Sequence, residues 1–286
     1  MHASIAVIGG SGLYDLAGAG VVEEIDVPTP FGMPSDLISI IEVNGSPVAF
    51  LPRHGRGHRL LPTEVPSRAN IWALKSLGVR QIVSVSAVGS LAEDYRPGDF
   101  VLCDQLIDRT FAREGTTFGD GVVGHVGFAD PFCPSLRAAF ADVLRDGSHP
   151  CHDSGTLVCM EGPLFSTRAE SSLYRSWGAH CIGMTALPEA KLAREAEICY
   201  AVVAMVTDYD CWREAHESVT VEMVMKVMAD NTGAIRAAIP AIVGRIASIP
   251  DCPCRRAAAG AVTTRKDAIP YETRRRLALF YGKYWK

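Results

Sequence analysis

The stretch Cys199-Tyr200-Ala201-Val202-Val203-Ala204-Met205-Val206 runs directly into Thr207-Asp208-Tyr209-Asp210. A short, wholly apolar run that ends in polar residues reads as a strand covered on both faces. Strands of that kind belong to α/β folds, where helices pack on both sides of a sheet. Alternate residues of an extended chain point to the same side, so Asp208 and Asp210 are expected to face one pocket. Two close carboxylates raise the pKa of at least one, which can then stay protonated and donate a hydrogen bond. An isolated Asp-x-Asp is more often a cap and turn ahead of a helix, so the other segments of the chain decide its meaning.

Outward from that strand, short apolar runs alternate with helical patterns. Ile5 to Ile8, Pro47 to Leu51, Gln81 to Ala87, Phe100 to Cys103, Leu157 to Met160 and Cys181 to Met184 read as further strands. Helices are expected over Ser67 to Leu77, Ser135 to Arg145, Thr167 to Trp177, Leu187 to Ala196 and Val219 to Ile246, with Ser166 as a cap. Pro188 falls early in its helix, where proline is tolerated. The alternation predicts a single α/β domain over residues 1–250, with a mixed central sheet flanked by helices. Residues 251–270 read as a loose connector to a short helix from Tyr271 to Phe280, so 251–286 is an extension and not a second domain.

Composition narrows the class. The chain has 286 residues, 48% hydrophobic and 21% charged, with a net charge of -4. That is a globular composition without the basic footprint that nucleic acid or an anionic membrane surface would require. Any bound anion must be held by a local site. The start lacks the basic and long apolar regions of a secretory signal, and no apolar run approaches a membrane span, so a cytoplasmic protein is expected. Nine cysteines in a chain of this length are no disulfide framework. Cys133, Cys159, Cys181 and Cys199 sit in apolar surroundings and read as buried thiols. Cys252-Pro253-Cys254 reads as an inert surface pair, with a labile, redox-active disulfide as the alternative; a lone CxC lacks the second ligand pair of a zinc site, and no metal is expected.

Three further segments offer anion-binding chemistry. Ile8-Gly9-Gly10-Ser11-Gly12-Leu13 follows the first strand, and its small residues let backbone N–H groups converge beside the serine hydroxyl. It does not fit the dinucleotide fingerprint, which disfavours an oxidoreductase. Pro52-Arg53-His54-Gly55-Arg56-Gly57-His58 ends another strand and can gather cationic donors on one anion, or form a solvated basic loop. Val83-Ser84-Val85-Ser86-Ala87-Val88-Gly89-Ser90 brings a hydroxyl and backbone amides to a strand's carboxyl end, the edge at which open α/β sheets bind ligands.

Taken in order, these segments resemble the methylthioadenosine phosphorylases, members of the trimeric purine nucleoside phosphorylase family. The resemblance runs from about Ile5 to about Ile246. It is carried by Gly9-Gly10-Ser11-Gly12-Leu13, Thr29-Pro30-Phe31-Gly32, Arg53-His54-Gly55, Ala69-Asn70-Ile71-Trp72 and Glu161-Gly162-Pro163. Arg168-Ala169-Glu170, Met184-Thr185, Pro188-Glu189 and Thr207-Asp208-Tyr209-Asp210-Cys211-Trp212 continue it. The resemblance implies phosphorolysis of S-methyl-5'-thioadenosine to adenine and 5-methylthioribose 1-phosphate, in purine and methionine salvage. It implies phosphate held by Ser11, Arg53, His54, Ser86 and Thr185 with the Ala87 backbone nearby, and a purine beside Phe165 and Ser166, read by Asp208 and Asp210. Met184 would lie beneath the ribose. His125, Val221 and Val224 match positions lining the 5′-substituent pocket, completed in the family by a neighbouring subunit of a homotrimer. Inorganic phosphate is then a co-substrate, and no cofactor is implied. Ser11 and Ser86 replace threonines common in the family and keep the hydroxyl. Leu164 stands where an arginine is common, so that charge is missing here.

On this reading the reaction builds positive charge on the ribosyl ring and negative charge on the purine. A protonated Asp208 would donate to purine N7 as the catalytic acid, and Asp210 would accept from the 6-amino group. Carboxylates suit an amino group, whereas a 6-oxo group calls for a donor such as asparagine. A 6-oxopurine nucleoside phosphorylase and an enzyme preferring adenosine or 5′-deoxyadenosine stay open as alternatives. So do a hydrolytic nucleosidase and a non-catalytic purine-binding protein on the same fold.

Overall fold

The computed structural model describes residues 2–10, 20–145, 147, 149–213, 221–249 and 251–285. Among them an eleven-stranded mixed sheet and six α-helices form one α/β domain. The centre of the sheet is β5 (Gln81–Ser90), flanked by β1 (Ile5–Gly9) and β11 (Cys199–Asp208), both parallel to it. β4 (Ser46–Pro52) pairs parallel with β1, and the order continues through β3 (Ile38–Val43) to the edge strand β2 (Val21–Ile25). Beyond the end of β1, the last residues of β5 pair antiparallel with β10 (Cys181–Gly183). From there the sheet runs through β9 (Thr156–Met160) to β7 (Gln105–Arg109). β6 (Phe100–Val101) pairs with β11, and β8 (Cys151–His152) with β6.

The period of two along each buried strand sorts side chains into two cores. Tyr200, Val202 and Ala204 of β11 join Ala6 and Ile8 of β1 on one face. They pack against α1 (Ser67–Ser76) and α4 (Ala186–Glu195). Cys199, Ala201, Val203 and Met205 point the other way with Ile5 and Val7, onto α2 (Pro134–Leu144) and α5 (Val221–Ala247). Continuous apolarity is therefore what two-sided burial demands, as the sequence led us to expect. β2, β3, β7 and β8 add to the strands read from sequence. β2 and β7 are polar edge strands whose conformation comes from ladder pairing more than from their own side chains. The start of the helix expected from Val219 lies outside the described residues, and α5 is described from Val221.

Two expectations need correction. α3 (Arg168–Ser176) is capped by Thr167 and not by Ser166. The Thr167 hydroxyl accepts from the Glu170 N–H, and the Glu170 carboxylate accepts in return from the Thr167 N–H, a reciprocal capping box. Thr167→Ala is expected to cost about 1 kcal/mol in urea unfolding, and Ser166→Ala markedly less. Residues 251–270 are no loose connector: the Val123 carbonyl accepts from the Thr263 N–H, the Ala261 carbonyl accepts from the His125 N–H, and Cys252 and Cys254 are buried. Helix α6 (Tyr271–Tyr281) then inserts Leu277, Phe280 and Tyr281 into the core shared with α1 and α4. The surface pair expected at Cys252 and Cys254 is thus an interior one, because the chain turns back onto α2 and β11.

Candidate active site

The carboxyl ends of β4, β1 and β5 lie level, since Gly9 pairs with both Pro52 and Val85. The residues that follow each strand therefore meet at one place: Arg53 and His54 after β4, Gly10 after β1, and Ser86 within β5. They line a cavity of about 530 Å³. Three residues further along β5, Gly89 pairs with Asp208 of β11, which sets a second polar end about 10 Å from the first. Ala87, Phe165, Met184, Thr185, Asp208, Asp210 and Val224 line the same cavity, so separated sequence segments converge as expected. Ser11 and the side chain of Val221 lie outside the described residues. His125 is exposed on a loop bound to Ala261 and does not line this chain's cavity. Ser166 stands just behind the wall, with its carbonyl accepting from the Cys211 thiol.

At the arginine–histidine end, Arg53 is buried and bound in a network that its sequence motif does not reveal. Its Nε donates to Glu189 at 2.5 Å, Nη2 donates to the Ser84 hydroxyl at 2.7 Å, and Nη1 donates to the Val85 carbonyl at 3.0 Å. Glu189 also accepts from the Tyr200 hydroxyl at 2.9 Å. Pro188-Glu189 was visible as a motif, but nothing local in the sequence announces that its carboxylate neutralises Arg53. His54 is pushed down to about 4 by burial, with the Arg53 charge adding to the effect, so the ring is neutral at neutral pH. Its Nδ1 lies 2.9 Å from the Leu60 carbonyl, which can only accept; the proton sits on Nδ1 and Nε2 keeps a lone pair. The hydroxyls of Ser86 and Thr185 are 3.0 Å apart. Arg56 turns away to pair with Glu24, leaving His58 as the further loop residue on the cavity.

At the other end the two aspartates come together by a different route from simple strand alternation. The pairing slips between Val206 and Asp208, and the chain then turns, with Asp210 at φ 49°. A left-handed aspartate is an uncommon, strained conformation of the sort held at functional positions. The Asp210 N–H donates to Asp208 Oδ1 at 2.8 Å, and the Thr207 hydroxyl donates to Asp208 Oδ2 at 2.7 Å. Burial pushes the Asp208 pKa up, the Asp210 charge pushes the same way, and these outweigh the two hydrogen bonds. Burial likewise raises Asp210. Trp212 pins the turn by donating from Nε1 to the Ser90 carbonyl at 2.8 Å, with Arg175 over its ring.

Gly89 makes room for this arrangement: an added Cβ would meet Asp208 Oδ1 at 2.9 Å and the Ile182 side chain at 3.2 Å. Gly89→Ala is expected to lower kcat/KM at least tenfold by displacing the carboxylate, because a misplacement of about 1 Å can cost 10²-fold. Steady-state kinetics beside a melting curve would separate displacement from unfolding. The apolar wall holds Met205 and Met228 besides Val224, with Met225 at its rim. Val224, Met225 and Met228 recur at helical spacing from Val221, a pattern that the sequence alone displays.

Residues 4–243 match the phosphorylase superfamily. The S-methyl-5'-thioadenosine phosphorylase of Geobacter sulfurreducens is 53% identical over 285 residues, covering 99% of this chain and all of its own. That of Thermosynechococcus vestitus is 54% identical over 288 residues, with the same coverage. The chain belongs to the methylthioadenosine phosphorylase family. A solved methylthioadenosine phosphorylase from an antarctic soil metagenomic library superposes with a TM-score of 0.91 at 49% identity, covering 98% of this chain and 99% of that one. The Schistosoma mansoni methylthioadenosine phosphorylase in complex with adenine gives 0.86 at 36% identity, covering 93% and 99%. The full-length matches include the segment after residue 246, where motif resemblance had stopped; its likeness to other methylthioadenosine phosphorylases extends through the C-terminal extension. It is a pentosyltransferase-family protein on a nucleoside phosphorylase fold. No described helix is long and apolar enough to cross a membrane.

Proposed function

We propose that this enzyme cleaves S-methyl-5'-thioadenosine with inorganic phosphate, giving adenine and 5-methylthioribose 1-phosphate. The observation that supports this reading best is a single cavity with a hydroxyl–arginine–histidine end, a paired-aspartate end and a methionine–valine wall. Phosphate would sit among Arg53, His54, Ser86 and Thr185, near the Ala87 backbone and Ser11, as both nucleophile and counter-charge to the ribosyl cation. Neutral His54 would take a phosphate hydroxyl proton as a hydrogen bond on Nε2, so the bound anion carries charge where the sugar needs it. Met184 would contact the ribose, and Phe165 and Ser166 would flank the purine. Protonated Asp208 would donate to N7; the Thr207 hydroxyl can then turn to the Val88 carbonyl, 3.2 Å away. Asp210 would accept from the 6-amino group.

The 5′ wall is apolar, and such a wall discriminates by only about 1–3 kcal/mol, so adenosine and 5′-deoxyadenosine should turn over more slowly and not be refused. In the same reading the chain works as a homotrimer in the cytoplasm. His125 of one subunit closes the 5′ pocket of the next beside Val221 and Val224, and no organic cofactor takes part. Phosphate-dependent base release from methylthioadenosine, adenosine, 5′-deoxyadenosine and inosine, measured in parallel, tests it. Turnover of inosine at the rate of methylthioadenosine would refute the base assignment, and release without phosphate would make the protein a hydrolase.

A further inference from the structure

On the α2 and α5 side of the sheet, away from the cavity, four cysteines that are distant in sequence meet in the core. Cys133 is the residue before α2, Cys199 opens β11, and Cys252 and Cys254 flank Pro253 just after α5. All four are buried and unbridged, and their sulfurs lie within 4.8 Å of one another. Cys133 Sγ and Cys252 Sγ are 3.6 Å apart. Four thiolates around one Zn²⁺, at about 2.3 Å each, form a tetrahedron whose edges are about 3.8 Å. The cluster already has nearly that size, without a covalent S–S contact. Soft sulfur ligands in a tetrahedral set favour zinc, with iron as the other common occupant.

The four cysteines sit in the apolar core between α2, α5 and the sheet. The Leu136 N–H at the start of α2 points at the Cys133 sulfur. Along the chain the CxC pair has no partner pair. The fold supplies one in Cys133 and Cys199.

We propose that Cys133, Cys199, Cys252 and Cys254 form a closed structural site for one thiophilic metal ion, Zn²⁺ in the first instance. Binding is a proton exchange without redox change: the thiols release their protons, and four S–metal bonds form a dianionic centre. Four protein ligands leave no open position, so the ion would fasten and not catalyse. What it fastens is the C-terminal extension. Cys252 and Cys254 begin the segment that carries the Ala261 contact to the His125 loop and then α6.

The test is a metal titration of the full-length protein. The chain is stripped with a mercurial thiol reagent and a chelator, reduced, and titrated with Co²⁺ and then Zn²⁺. The expected result is the sulfur-to-cobalt charge-transfer and tetrahedral d–d bands of a four-thiolate site, saturating at one ion per chain and abolished by Zn²⁺. Native protein grown with zinc should release one ion on thiol modification, and its melting temperature should fall on stripping and return on refilling. Cys252→Ser/Cys254→Ser should bind no ion and lose the extension sooner to limited proteolysis. If that variant fails to fold, the unmutated titration decides alone. Absence of cobalt bands in reduced, folded protein, or isolation of the four cysteines as two disulfides that bind no metal after reduction, would overturn the proposal.

Discussion

Replacing Asp208 with asparagine is expected to slow phosphorolysis of a 6-aminopurine nucleoside by about 10²–10⁴-fold, the range removed with a general acid. The same substitution should raise the melting temperature at neutral pH. Both effects come from one cause, the burial that lifts the Asp208 pKa, with Asp210 beside it. Below the ordinary carboxylate pKa, Asp208 is protonated both folded and unfolded and contributes no pH dependence. As pH rises, the unfolded chain releases this proton first, so the folded state is progressively penalised until pH passes the raised value, and the penalty is constant above it. Asparagine is neutral throughout and escapes the penalty. The native protein and the variant should therefore melt alike in acid and diverge towards neutrality. Activity should run in the matching direction, with kcat/KM of the native enzyme declining as pH rises through the raised pKa. A variant with native kcat/KM, or one less stable than the native protein at neutral pH, would remove Asp208 from the acid's role.

Glu189→Ala is expected to be the most damaging single change to stability near the site, costing about 3–5 kcal/mol, because it leaves a buried charge without its partner. Arg53 is 1% exposed, and Glu189 accepts from it through both carboxylate oxygens. Unlike a surface pair, neither member can turn to water when the other is removed. Phosphate should restore part of the lost stability, since an anion beside Arg53 binds only the folded state. Urea unfolding with and without phosphate measures both quantities. Glu189→Gln keeps the shape and the acceptor oxygen, and should lose less while still raising the KM for phosphate. An unchanged unfolding midpoint in Glu189→Ala would show that Arg53 does not depend on this carboxylate.

Much of the architecture follows from local pattern. The strand Cys199–Asp208 is apolar throughout because both its faces are buried, and that signal survives reading one residue at a time. The same holds for the helices, whose expected bounds match α1, α2, α3 and α4 to within a residue or two. The edge strands β2 and β7 were harder to read because their neighbours supply what their own side chains lack. Thr167 took the cap expected of Ser166 because only its hydroxyl stands where the Glu170 N–H points.

The candidate site divides the same way. The sequence by itself determined which segments would meet, since strand ends of a parallel sheet bring their following residues to one edge; phosphate and a purine as what they bind is what the family resemblance implies. Only the tertiary structure decided how those residues are charged and aimed. Arg53 is half of a buried ion pair, His54 is neutral, Arg56 faces elsewhere, and Asp210 reaches the cavity through a strained turn. The cysteines are the sharpest case. Cys252 and Cys254 taken with their neighbours in sequence are an unpartnered pair, and only the return of the chain onto α2 and β11 makes them half of a cluster. Pairing between residues more than fifty positions apart leaves no mark on local spacing, because burial and contact are properties of the folded chain and not of the segment.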